Sequence, residues 1–248
     1  MTFRDRLYRS YTSSHITGRK GEATLERFSR EFATWDKHFG RLLPSDREAR
    51  VLDAGCGRGG LVHWLQQRGY HNATGIDLSA EQVAAARELG ISNVQQADLA
   101  EYLGGRRGHY DAIILRDVLE HFTRDEIVDV LDLCRSAIRP GGVIIVQVPN
   151  AESPFFGRIR YGDFTHELAF SSSSLTQLFN VLGFEEPQVY PTDPAIAGAR
   201  SLIRSVLWAG VKLFYRLLLF AELGRGRWIF TQGLIAVGRV PNAAVKRA

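Results

Sequence analysis

Three stretches of this 248-residue chain have the residue types and spacing that chemistry needs. The first is Val51-Leu52-Asp53-Ala54-Gly55-Cys56-Gly57-Arg58-Gly59-Gly60, an apolar run that passes through an acid into a glycine-rich turn. Glycines suit a backbone that turns sharply and approaches a ligand closely, where any Cβ would obstruct. Gly55, Gly57 and Gly60 also satisfy the dinucleotide pattern G-x-G-x-x-G, a weak match when it stands alone. The second stretch groups Asp117, Glu120 and His121; the third groups Asp163, His166 and Glu167. Both set carboxylates beside an imidazole, the combination that takes or relays a proton near neutral pH.

Asp53 narrows the choice of ligand. A carboxylate at the mouth of the loop repels a pyrophosphate and favours positive charge, such as the ammonium and sulfonium of S-adenosylmethionine. Asp77 and Asp98 close the next two apolar runs. Ligands of open α/β sheets bind beyond the carboxyl ends of strands, so the three acids converge on one crevice. The spacing Asp53-x-Gly55-x-Gly57-x-Gly59 resembles the first motif of class I S-adenosylmethionine-dependent methyltransferases, and the resemblance extends roughly over 51–148. It implies a Rossmann-like seven-stranded sheet, mostly parallel, with helices on both faces and the last strand antiparallel. It also implies a cofactor site made of Asp53, Gly55, Cys56, Gly57, Asp77, Leu78, Asp98, Leu99 and Arg116. Asp77 would accept from the ribose hydroxyls; Asp98 would accept from the adenine amino group, with Leu99 beside the ring. A nicotinamide dehydrogenase would set its phosphates against Asp53, which is unfavourable. A non-catalytic adenosylmethionine sensor differs from an enzyme only in activity.

Methyl transfer is an in-line displacement, so positioning and water exclusion dominate its rate, and a hydroxyl acceptor also needs a base. His166, His121 and Glu120 are the candidates. Asp117-Val118-Leu119-Glu120-His121-Phe122 resembles a segment of ubiquinone-biosynthesis O-methyltransferases. That resemblance implies Asp117, Glu120 and His121 as ligands of Mg2+ or another divalent cation, with Asp117 standing where that family has a longer Glu. Asp163-Phe164-Thr165-His166, followed by a phenylalanine and a helix ending in Gly-Phe, resembles bacterial methyltransferases of surface-polysaccharide synthesis. His166 is the preferred base; Arg158 and Arg160 would meet a phosphorylated acceptor or solvent. The expected activity is O-methylation of a sugar or lipid-linked glycan precursor. A quinone, phenol or other small molecule is the alternative acceptor, and nucleic-acid methylation a further one. No RNA-binding module or stacked-aromatic motif supports the last.

The elements that must position these residues alternate strand and helix, which argues for a parallel sheet covered on both faces. Residues 22–39 carry Leu25, Phe28, Phe32, Trp35 and Phe39 at helical spacing, and the Tyr-Thr-Ser-Ser-His segment before them would close as a lid. Ser79-x-x-Gln82 and Thr123-x-x-Glu126 read as capping boxes, and Pro140-Gly141-Gly142 as a turn. The last two strands are expected near 188–192 and over 233–240, with a long loop over 149–169 and a helix near 172–182. The whole is one domain: an N-terminal lid and helix over 1–45, a Rossmann-like core over 46–192 and 228–241, and a helical insertion over 193–227.

Hydrophobic residues at 45% and charged residues at 23% are ordinary globular usage, so one sizeable core is expected. Two cysteines make no disulfide framework, and Met-Thr-Phe-Arg-Asp-Arg lacks a signal peptide's apolar core, so the expected location is cytoplasmic. The net charge of +4 permits an anionic partner. Over 199–223, apolar residues share a broad face while Arg200, Arg204, Lys212 and Arg216 are expected to cluster on the other, flanked by Trp208 and Tyr215. Internal charges disfavour a bilayer span; a basic face with aromatic flanks suits a helix lying peripherally on an anionic membrane. Docking on the core or on a second subunit is the competing expectation, and the oligomeric state stays open.

Overall fold

The structure, a computed structural model, describes residue 7 and residues 24–242. The proposed lid segment, residues 11–15, lies outside the described residues. Seven strands form one sheet in the order β3-β2-β1-β4-β5-β7-β6. β1 (Val51–Ala54), β2 (Ala73–Asp77), β3 (Val94–Gln96), β4 (Tyr110–Arg116) and β5 (Ile138–Pro149) run parallel. β7 (Gly233–Arg239) is antiparallel to β5, and β6 (Glu185–Pro191) is antiparallel to β7. This is the expected Rossmann-like, mostly parallel sheet.

The strands are apolar on both faces because both are covered. Leu52, Ile113, Leu115, Ile144 and Val146 point into one core, closed by α4 (Leu99–Leu103), α5 (Arg124–Ala137) and α7 (Ser172–Val181). Their neighbours Val51, Ala112, Ile114, Val143 and Ile145 point into the other, closed by α1 (Leu25–His38) and α2 (Gly60–Gln67). α3 (Ala80–Glu88) adds Val83 and Ala86 to a third cluster with Val62 and Val94. α1 is fastened to α2 by more than its buried Trp35. Asp36 accepts from Trp64 Nε1 at 3.0 Å and from Arg68 Nε and an Arg68 terminal nitrogen at 2.8 and 2.6 Å. A two-pronged guanidinium–carboxylate pair fixes orientation as well as proximity.

Several local expectations shift for identifiable reasons. The Thr123–Glu126 capping box forms, but Ser79 and Gln82 make only half of theirs: Ser79 Oγ accepts from Gln82 N, whereas Ser79 N–H donates to Asp77. β5 starts earlier than expected, at Ile138, because Gly141 at φ +76° lets the turn be absorbed as a bulge opposite β4. β6 likewise starts at Glu185, where a register shift and Glu186 at φ +51° accommodate Pro187. The loop after β5 contains a short helix, α6 (Phe156–Arg160), and the long C-terminal helix α8 spans Ala199–Leu223.

All five parallel strands end at one edge, and β6 ends there too, since it is antiparallel to β7. The glycine loop after β1, the turns after β2 and β4, the loop after β5 and the whole α8 insertion therefore share one side of the molecule.

Candidate active site

The glycine loop is held by its neighbours in a shape that only glycine allows. Gly55 N and Cys56 N both donate to Ile76 O at 2.8 Å. Gly55 has φ +85°, and a Cβ there would meet Val118 Cγ2 at 2.4 Å. Asp77 fastens the other side: one carboxylate oxygen accepts from Gly57 N and the other from Ser79 N, each at 2.8 Å. Gly59, at φ +75°, then starts α2. Cys56 is buried in this loop, and burial raises its thiol's pKa, so it packs rather than reacts.

Asp53 lies beneath the loop, 2% exposed, and its Oδ1 has no hydrogen-bond partner among the described residues. Burial pushes its pKa up to about 7; Arg116 opposes that shift and Asp77 adds to it. Asp77 is also raised by burial, against the lowering effect of its two backbone bonds. A site with two carboxylates and an unpartnered oxygen favours a cationic group over a phosphate, so these residues fit S-adenosylmethionine. Arg116 extends over the Trp35 ring, 5.5 Å from its centroid, a contact with α1 that sequence reasoning missed. Asp98 is the N-cap of α4, with Oδ1 accepting from Ala100 N and Glu101 N at 2.9 and 3.1 Å. Leu99 is buried behind it, and Leu78 is half-exposed at the end of β2.

The two histidines meet although 45 positions apart in the chain: the His121 and His166 rings are 4.7 Å apart, edge to face. Glu120, His121 and His166 offer one ligand atom each within 4.8 Å of one another. Asp117 is outside that group, contrary to the ligand set expected from sequence. Its backbone is in the left-handed region at φ +58°, and its Oδ1 accepts from Gln147 Nε2 at 3.0 Å. Such a backbone is uncommon for a residue other than glycine and tends to occur at functional sites.

Thr165 orders this cluster. Its hydroxyl donates to Asp163 Oδ1 at 2.7 Å and lies 2.8 Å from His121 Nδ1. With its single proton given to the carboxylate, Thr165 Oγ1 accepts from Nδ1–H, leaving the His121 lone pair on Nε2. His166 Nδ1 lies 3.0 Å from the Ile159 carbonyl, which can only accept, so its lone pair is also on Nε2. Burial lowers both imidazoles, His121 to about 4, so both are neutral at pH 7. Glu120 is 1% exposed, and its Oε2 has no hydrogen-bond partner among the described residues; burial above all, with Asp117 adding, holds its carboxyl well above the usual range. Arg160 braces the loop by donating to the His166 and Glu167 carbonyls. Arg158 is exposed. The signal for Thr165 was present in the sequence, as a hydroxyl between an acid and an imidazole.

A family model described as a methyltransferase domain matches residues 27–188. The chain belongs to that family. Among curated relatives, the ubiquinone biosynthesis O-methyltransferase of Xylella fastidiosa is 35% identical over 107 residues, 41% of this chain and 42% of that protein. The Cronobacter sakazakii enzyme of the same name is 33% identical over 106 residues, with the same coverage. The match thus spans less than half the length of these relatives. A methyltransferase of Archaeoglobus fulgidus described as S-adenosylmethionine-dependent shares the fold, with a TM-score of 0.64 and 22% identity over 86% of this chain and 96% of that one. Phosphoethanolamine N-methyltransferase 2 of Haemonchus contortus, solved with S-adenosyl-L-methionine, shares it with a TM-score of 0.62 and 18% identity over 98% of this chain and 60% of that one.

Proposed function

We propose that the protein transfers a methyl group from S-adenosylmethionine to an oxygen of a sugar or lipid-linked glycan precursor at a membrane surface. The observation that carries the cofactor reading is buried Asp53, with its unpartnered oxygen beneath the glycine loop and Asp77 beside it. Asp53 would face the cationic part of the cofactor, Asp77 the ribose, and Asp98 and Leu99 the adenine. The cofactor, when bound, supplies an activated methyl group on a sulfonium.

His166 acts as the base. Its Nδ1 is tied to Ile159, its Nε2 carries the lone pair, and burial keeps it neutral. With the cofactor bound to supply the methyl group, His166 Nε2 would take the proton that the acceptor hydroxyl gives up on methylation. Phe155, Phe156, Tyr161 and Phe164 are exposed along the same loop with Arg158 among them, a surface that suits an amphipathic acceptor carrying a phosphate. Calorimetry tests the cofactor: S-adenosylmethionine and its demethylated product bind and NAD does not. Labelled S-adenosylmethionine incubated with extracts of the source cells then identifies the acceptor. A labelled quinone or phenol would instead support the second acceptor class, which the similarity to ubiquinone biosynthesis O-methyltransferases favours.

A divalent cation is a second reading of the catalytic cluster, favoured by the unpartnered Glu120 oxygen. Glu120, His121 and His166 would hold it, and it would make an acceptor hydroxyl more acidic. Two imidazoles and one carboxylate suit manganese, iron or zinc better than Mg2+. Loss of turnover on chelation, restored by one of these ions, separates this reading from the base; unchanged turnover removes it.

A further inference from the structure

α8 is inverted relative to an ordinary surface helix. Its inward stripe, at spacings of three and four, is Ser201, Ser205, Trp208, Lys212, Tyr215 and Leu219. Trp208 Nε1 and Lys212 Nζ both donate to Asp193 Oδ1, at 3.1 and 2.9 Å, and the Tyr215 ring lies 5.9 Å from that of Phe230. Asp193 and Pro194 are fixed in turn by α1, through His38 Nε2 at 3.0 Å and Lys37 Nζ at 2.8 Å from their carbonyls. Lys212 therefore does not join the other cations on an outer basic face, as the helical pattern alone had led us to expect. No residue of α8 is buried.

The apolar residues point outward. Ile203, Val206, Leu207, Phe214, Leu217 and Leu218 are each between 50% and 66% exposed. At ~100° per residue they share one half of the helix, with Arg200 and Arg204 along one margin and Arg216 along the other. Glu222, in the last turn, is the one acid of α8, and exposed Arg225 and Arg227 follow it. Apolar patches of this extent are rare on free protein surfaces.

We infer that α8 is a membrane anchor that lies flat in the interface of an anionic phospholipid bilayer, apolar half inserted and arginines at the headgroups. Arginines on both margins of an apolar half match that placement, because their stems lie along the apolar layer while the guanidiniums meet lipid phosphates. Spanning is excluded for the described residues, since no helix is long and apolar enough to cross a membrane. A second copy of the chain packed on this face would bring six arginines from α8 together with two glutamates, an unbalanced interface; a bilayer containing anionic lipid balances the charge. α8 leaves the same sheet edge as the glycine loop and the loop bearing His166, where Tyr161 and Phe164 are 74% and 83% exposed. Anchoring thus sets the site mouth near the surface from which a lipid-linked acceptor would enter. Only this last step rests on the methyltransferase reading.

The test is co-sedimentation of the full chain with vesicles of phosphatidylcholine alone or mixed with phosphatidylglycerol. The wild type should sediment strongly with the mixed vesicles and weakly with the neutral ones. Each margin arginine contributes about fivefold, so replacing Arg200, Arg204 and Arg216 with Gln should lower binding to anionic vesicles roughly 100-fold. Leu207→Glu with Phe214→Glu should abolish it, while circular dichroism and S-adenosylmethionine affinity stay unchanged because both side chains are exposed. Wild type remaining in the supernatant with both vesicle types overturns the inference. So does a wild-type dimer, seen by light scattering, that the double variant converts to monomers without any vesicle binding. Calorimetry on the same preparation keeps the two readings apart: vesicle binding without cofactor binding sinks the methyltransferase reading and leaves the anchor.

Discussion

Replacing Asp53 with asparagine tests whether the carboxylate under the glycine loop is kept there for a cationic ligand. The side chain is 2% exposed, its Oδ1 is unpartnered, and burial pushes its pKa up to about 7. In the unfolded chain an aspartate titrates near ~3.9. Between these values the folded protein holds a proton that the unfolded chain has lost, so stability falls as pH rises from about 4 to about 7. The full loss is about 4 kcal/mol, of which about 3 kcal/mol falls between about pH 5 and about pH 8. Asparagine has nearly the same shape and does not titrate. The ligand-free variant should therefore gain on the wild type by that amount over this interval. In a chain of this length, the gap in Tm should widen by roughly 6–12 °C. The same substitution removes the negative charge that a sulfonium or ammonium would face, so S-adenosylmethionine affinity should fall at least about tenfold. Wild-type affinity should rise with pH through about 7 as Asp53 ionises. Denaturation curves at the two pH values, with calorimetry beside them, read both effects. Parallel pH dependences would show that Asp53 is already ionised in the free protein, paired with Arg116; unchanged affinity would show that the charge is not used.

Three further outcomes are expected. Asp77→Ala removes the acceptor for Gly57 N–H and Ser79 N–H as well as the ribose acceptor, so S-adenosylmethionine affinity should drop about tenfold or more and thermal stability should fall too; calorimetry and a melting curve check each. His166→Ala should leave cofactor affinity intact while lowering turnover by roughly 10²–10⁴-fold, measured with labelled cofactor; unchanged turnover would move the role to His121 or to a mechanism without a base. Asp36→Ala leaves Trp64 Nε1 without an acceptor and frees Arg68, so α1 should loosen at a cost of about 1–3 kcal/mol in denaturant unfolding, with turnover assayed alongside.

What the sequence determined by itself was local or periodic. The apolar run entering Asp53 and the glycines reads as a strand turning into a helix, because glycine best tolerates the sharp turn and close backbone approach needed there. Strand–helix alternation then fixed a parallel sheet, and the acids at strand ends fell on one edge. Tertiary structure alone decided the rest. His121 and His166 belong to different loops, and only the path of 149–169, braced by Arg160 and ordered by Thr165, brings their rings within 4.7 Å. The same folding leaves Asp117 to Gln147. Periodicity showed that α8 has two faces, but a period carries no direction. Asp193, held by α1, draws Lys212 and Trp208 inward, and that attachment turns the apolar half of the helix outward.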